Sequence, residues 1–533
     1  MANFSLADHH TVEWRTQITF VLRSRLRSFE YEKTIVNNEE GMSMETMKRK
    51  RYFSCITTGA LGLALIGLAA CNSGEATSTT PAPTPSSSAG LTNPLVLINN
   101  TGDKTLETIK HDGDTNNQSI GTLGGNNEFQ GTALGDMTSS AGDWVFMNLS
   151  AANGVALIDP LSGAKPIFET ILPTGERPVH IYRDAVDGEV IWSMNDGNAT
   201  TGIDSINCSA QAVGSVSVLH NSHLGPGGEV PKLQKTLCLG VGHKVAAFSK
   251  PTASDATIPK RTFITNAKSG EMSVIDNNAA SPATYLTIIK NIDLCDSAKE
   301  TTPCDSDVAT PNASSPHGIA WSNATGKVYS RQEGYENVVE VDPDTMQIVR
   351  KVEVAPFTSS GISPDGKFLF LRATDKTTDP DHVLGKLGVI DLTANPLAVT
   401  PLPDLQDIAP GSFKFSPDGT KLYLTQSNDN TGLTAAQQAN LKRDKLVVLD
   451  TAALPAAPTV TAEISLLPSP AGHSLDLHVH DGNLKHLWVT NKDDNSVSVI
   501  NAASNQLVQR VAVGSAPGGL MVYESSALAG GHH

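Results

Sequence analysis

Between residues 93 and 523 the chain alternates short apolar runs with short polar breaks that carry Gly, Pro, Asn or Asp. The best-formed stretch reads Leu487-Trp488-Val489-Thr490-Asn491, then a polar break through Lys492-Asp493-Asp494-Asn495-Ser496, then Val497-Ser498-Val499-Ile500-Asn501. It runs on through Leu507-Val508-Gln509-Arg510-Val511 to Ala516-Pro517-Gly518-Gly519. Runs of five or six residues rich in Val, Ile, Thr and aromatics, bounded by turn formers, predict strands joined by tight turns. Phe263-Ile264-Thr265-Asn266 leads in the same way to Met272-Ser273-Val274-Ile275-Asp276, and Lys327-Val328-Tyr329-Ser330 to Val338-Val339-Glu340-Val341-Asp342. Ser-Pro-Asp-Gly recurs at 363–366 and 416–419, each time just before an apolar run, and places Pro and Gly where a hairpin turn needs them. No 3.6-residue apolar period is sustained beyond residue 70, so the expected class is all-β.

Internal repetition of this kind predicts a ring or stack of like units. The unit resembles the YVTN β-propeller repeat, with Trp488 in the Tyr place, and the resemblance covers most of residues 93–523. It implies a single β-propeller, eight blades by our count, with seven as the alternative reading. The piece Pro94-Leu95-Val96-Leu97-Ile98-Asn99 reads as a second strand lacking its first, and Gly518-Gly519-Leu520-Met521-Val522-Tyr523 as a first strand with nothing after it. Each completes the other, which predicts a ring closed by pairing the two ends within one blade.

Upstream lies an address segment. Lys48-Arg49-Lys50-Arg51, an apolar stretch over 52–70 and Leu68-Ala69-Ala70-Cys71 make a basic, apolar, small-residue series typical of export signals. The last four residues resemble a bacterial lipobox, which implies cleavage before Cys71 and a membrane anchor on its sulfur, the outer membrane being favoured by Asn72. Residues 1–46 read as an extension outside the native protein, 47–70 as the signal peptide, 71–92 as a Ser/Thr/Pro tether, 93–523 as the propeller and 524–533 as a flexible tail. Of six Cys, Cys55 and Cys71 belong to these segments. Sequence proximity favours Cys208–Cys238 and Cys295–Cys304 as disulfides among the remaining four, as suits an oxidising compartment.

The formal net charge is −16, and residues 71–533 carry 30 Lys/Arg against 48 Asp/Glu. An acidic body without a basic run repels phosphate backbones, so nucleic-acid partners are not expected. A monomer is. No nucleophile elbow, P-loop, HExxH or haem-attachment motif is present in the sequence.

Histidines carry the chemistry that remains. His180, His243, His317 and His473 fall at nearly the same repeat phase, shortly after the turn that opens a unit; other units carry Thr358, Gly411 and Gly518 or Gly519 there. That phase is the start of the innermost strand, so these four are the expected ligands of zinc or copper at the channel mouth. His478 and His480 form an HxH pair read as solvated and turn-side, and His220 and His223 read as loop residues. The repeat resemblance implies an architecture shared by surface-layer and adhesion-type proteins, zinc-chaperone propellers of the periplasm and reductase propeller domains. The expected function is a lipid-anchored, extracytoplasmic metal-binding protein and not an enzyme. The alternatives are a metal-free scaffold that binds a protein partner across its loops and, behind it, a lactonase-like hydrolase.

Overall fold

The computed structural model describes residues 35–37, 43–45 and 94–524, the last interrupted at 126–127, 130, 141–143, 161–164, 221–229, 302–303, 305–310, 428, 467–471 and 481. Cys71, the signal and tether segments and His223 lie outside the described residues, as do the side chains at 472 and 473. The chain divides into Met1–Ala82 and Pro83–His533. In the first unit the described part is a short antiparallel pair, Ile35–Asn37 with Ser43–Glu45.

In the second unit the repeat phases become eight antiparallel sheets of four strands, one with a short extra strand. We number them blade 1 (134–173), blade 2 (178–239), blade 3 (246–293), blade 4 (316–353), blade 5 (359–406), blade 6 (410–465) and blade 7 (472–512). Blade 8 joins Pro517–Tyr523 as its innermost strand to Leu95–Asn100, Thr105–Lys110 and Gln118–Gly124. The two chain ends therefore share a sheet, and the ring has eight blades with no open edge at its closure. Cys208–Cys238 and Cys295–Cys304 are bonded in the expected pairing.

Second and third strands lie between neighbouring blades and are covered on both faces. Leu95–Asn100, Val190–Asn195 and Gly154–Asp159 are buried throughout, whereas the outer strand Gln347–Glu353 is exposed along most of its length. This is why the second strands read as continuous apolar runs and the outer ones as mixed. Trp144, Trp192 and Trp488 are the largest fully buried side chains, each on or beside a second strand.

The Asn that ends a second strand is structural. Asn491 Nδ2 donates to Ser496 Oγ at 3.0 Å and Ser498 Oγ at 2.9 Å; Asn195 Nδ2 does the same to Ser215 and Ser217 at 2.9 and 3.0 Å. A buried amide that cross-links the second and third strands explains why Asn and Ser recur at fixed spacing. Asn491→Ala takes this donor from the buried Ser498 hydroxyl and removes one of the partners of Ser496, and urea unfolding is expected to show a loss of about 1–3 kcal/mol. In the Ser-Pro-Asp-Gly turns, Ser363 Oγ donates to Asp365 Oδ1 at 2.6 Å and Gly366 takes φ +73°, a region that favours glycine.

Besides three single 3-10 turns, one α-helix among the described residues departs from the all-strand expectation. Ala435–Asn440 is a helix inserted between strands of blade 6, started by a capping box in which Thr434 and Gln437 bond each other's backbone N–H. At six residues it is too short for its apolar period to stand out in the sequence. Among the described residues no helix is long and apolar enough to cross a membrane.

Candidate metal centre

Each blade's innermost strand starts on one face of the ring and finishes on the other. His180 lies in Pro178–Arg183 and His317 in Pro316–Ser322, both near the start, while His243 sits in the loop just before Ala246–Ser249. Pairing with the second strand shifts register between Pro178 and His180 and between Pro316 and Ile319. Such bulges re-aim a side chain at a strand end. Consecutive blades 2, 3 and 4 thus place three histidines along one arc of the channel mouth.

The rings meet. His180 Nε2 is 3.1 Å from His243 Nε2, the His243 and His317 ring centroids are 4.8 Å apart, and one ligand nitrogen from each residue lies within 4.8 Å of the others. On the far side every Nδ1 meets a carboxylate: His180 with Asp136 at 2.5 Å, His243 with Asp196 at 2.8 Å, His317 with Glu333 at 2.8 Å. A carboxylate at Nδ1 requires the proton there, so in the neutral rings Nε2 carries the lone pair. The lone pairs of His180 and His243 face each other with the His317 ring packed beside them, and that arrangement asks for a cation. Zinc–nitrogen bonds of ~2.0–2.1 Å in tetrahedral geometry put two ligand nitrogens roughly 3.3 Å apart, close to the His180–His243 separation. Carboxylates behind ligating imidazoles also fix their orientation and raise their basicity.

The carboxylates come from matching places. Asp136 is on the innermost strand of blade 1 near its start, so blades 1 to 4 each contribute one group at this phase. Asp196 and Glu333 each directly follow a second strand, in blades 2 and 4. Asp196 is only 5% exposed, and Glu333 also accepts from Arg331 Nη1 at 3.0 Å. None of these carboxylates was picked out in the sequence, because Asp136 and Asp196 reach a histidine of the next blade only in the folded ring, and Glu333 meets His317 only through the pairing of two strands of blade 4. Burial disfavours the charged form of His180, but the Asp136 and Asp196 carboxylates outweigh it and raise its pKa. The proton on His180 therefore competes with a metal ion, and binding releases it.

Behind His243 the fully buried Lys244 donates from Nζ to Gly242 O at 2.7 Å and Asn195 O at 3.2 Å, which ties the His243 loop to blade 2. Burial lowers its pKa to about 8. In blade 3 burial, helped by Asp293, pushes Glu271 up to about 7. The folded chain then holds this proton up to about pH 7 while the unfolded chain releases it near 4.5, so stability falls as pH rises through that window. Glu271→Gln is expected to flatten this loss, gaining roughly 2 kcal/mol on wild type between pH 5 and pH 8 in chemical denaturation.

The remaining histidines divide differently from the sequence reading. His473 belongs to blade 7, three blades from blade 4 in one direction and three from blade 2 in the other, and its side chain lies outside the described residues. His220 ends the strand Gly214–His220, and His223 lies outside the described residues. The solvated reading of His478 is corrected: it is buried at 6% exposure, packed with buried His111 and His486, whereas His480 is partly exposed. Burial lowers the His111 pKa to about 4, against the opposing effect of its hydrogen bond to Asn117 Oδ1.

No protein-family model and no curated protein matches the sequence. Solved structures do match in fold. Dihydro-haem d1 dehydrogenase NirN in complex with DHE aligns at TM-score 0.51 and 13% identity, over 83% of this chain and 78% of that one. Apo AztD from Citrobacter koseri aligns at 0.47 and 14%, over 81% and 98%. The Pseudomonas aeruginosa periplasmic gluconolactonase PpgL aligns at 0.46 and 14%, over 81% and 99%. The β-propeller fold is the common ground. Enzymes and proteins whose names state no reaction stand side by side among these neighbours.

Proposed function

We propose that the protein holds a transition-metal ion, zinc or copper, between His180, His243 and His317 at one mouth of its channel and stores or delivers it outside the cytoplasm. The observation that carries this reading is the triple carboxylate–imidazole arrangement, in which every Nδ1 meets a carboxylate and one ligand nitrogen from each ring lies within 4.8 Å of the others. Three neutral nitrogen ligands suit both metals, and a three-ligand protein set leaves the fourth zinc position open for exchange. Partial exposure fits delivery: His317 is 46% exposed and His180 28%. The two disulfides fit an oxidising compartment, and a lipid on Cys71 with the 71–92 tether would hold the propeller at a membrane, the outer membrane by the Asn72 argument.

Calorimetric titration with zinc and with copper tests the reading. The His180→Ala/His243→Ala/His317→Ala variant is expected to lose one binding event that wild type shows. Equal stoichiometry and affinity in both proteins would remove the metal from this mouth, and no binding in either would favour the scaffold alternative.

A further inference from the structure

On the other face of the ring a second set of histidines converges. His478 is close to the finish of the blade 7 innermost strand Gly472–His480, and His486 lies on the adjoining strand Asn483–Asn491. His111 directly follows Thr105–Lys110, the third strand of blade 8, which by antiparallel order ends on the same face. His486 Nδ1 stands 3.2 Å from His111 Nε2 and 3.1 Å from His478 Nδ1, and the three ligand atoms lie within 4.8 Å of one another. All three residues are buried.

Two of the outer nitrogens are again committed to acceptors, and the third faces a carboxylate. His486 Nε2 is 2.6 Å from Asp114 Oδ1, while His478 Nε2 lies 2.8 Å from Glu524 Oε1 as an ion-pair contact without hydrogen-bond geometry. His111 Nδ1 meets Asn117 Oδ1 at 2.5 Å. The orientation of that amide is fixed, because Asn117 Nδ2 donates to Gly113 O, Asp114 O and Gln509 Oε1 at 3.1, 3.3 and 2.7 Å. With the proton of His111 and of His486 on the outer nitrogen, their lone pairs face inward beside His478 Nδ1 in a buried space. Neutral rings repel there, and a divalent cation at the centre turns the repulsion into three bonds.

We propose that His111, His478 and His486 form a second transition-metal site, distinct from the first, which clasps blade 7 to blade 8 where the ring closes. Its donors come from both ends of the chain: His111 lies 375 residues before His486. Glu524 follows the last strand, and the 112–117 loop straps across to blade 7, where Asn117 N donates to Gln509 Oε1 at 2.9 Å and Gln509 Nε2 to Asn117 O at 3.0 Å. A metal bound here engages the folded ring only, so it stabilises the closure by mass action. Burial under this strap suits a retained ion, in contrast to the open mouth of the first site.

Metal counting on the full-length protein, with zinc and then with cobalt as a coloured probe of tetrahedral nitrogen sites, tests the proposal. Wild type is expected to retain two zinc ions after dialysis against a weak chelator. The His180→Ala/His243→Ala/His317→Ala variant is expected to retain one, to show the cobalt absorption of a tetrahedral site and to melt at a higher temperature with zinc than without. That variant leaves the second site intact, so the result does not depend on whether His486→Gln folds; adding His486→Gln is expected to abolish the remaining ion and the melting shift. If the triple variant retains no metal while wild type retains one, the second site is overturned and the first stands. If wild type and the triple variant each retain one, the first reading fails and this one stands.

Discussion

His243→Ala is expected to lower zinc affinity at the channel mouth at least 100-fold without unfolding the ring, as read by competition with a chromophoric chelator. His243 is the middle member of the arc. Its Nε2 faces His180 Nε2 at 3.1 Å and its ring lies 4.8 Å from that of His317, so its removal leaves two ligands on blades that are not neighbours. The side chain is in a loop and 29% exposed, and the loop itself is held by Lys244, so the fold does not depend on the imidazole. Asp196→Asn is expected to give a smaller effect of about 10–100-fold, because it removes the charge behind His243 while keeping the shape. A loss from His243→Ala no larger than that from Asp196→Asn would place the metal elsewhere.

Trp488→Ala is expected to cost about 3–5 kcal/mol in urea unfolding, since a fully buried indole leaves a cavity that the neighbours cannot fill. The site lies where the ring closes. Trp488 packs in one cluster with Val497 and Val499 of its own blade and with Val96, Ile98 and Ile109 of blade 8, so the cavity opens along the seam between the two chain ends. Val349→Ala, on an outer strand and 47% exposed, is expected to stay within about 0.5 kcal/mol of wild type. The contrast checks that the inter-blade seams, and not the outer strands, carry the stability.

Strand phase was readable from the chain because both faces of every second strand are buried, which leaves apolar runs, while Asn, Ser and Gly mark the breaks. The pairing of 94–99 with 518–523 followed from two incomplete units, and the structure pairs Leu95–Asn100 with Pro517–Tyr523. His180, His243 and His317 were recognisable because repeat phase maps onto one arc of one face. The second cluster was hidden for two reasons. A register shift between His478 and Val479 skips Lys485 and sets His486 opposite His478, whereas an unbroken hairpin from the His480–Asn483 pair would oppose Lys485. His111 reaches the same point only after ring closure, and no local pattern in its own segment announces it.

An anomalous-scattering map from crystals grown with zinc tests the central claim most directly. The account predicts a peak roughly 2.0–2.1 Å from Nε2 of His180, His243 and His317 together. A mouth without a peak, or zinc bound instead to the outward oxygens of Asp136 and Glu333 with the imidazoles turned away, would contradict it.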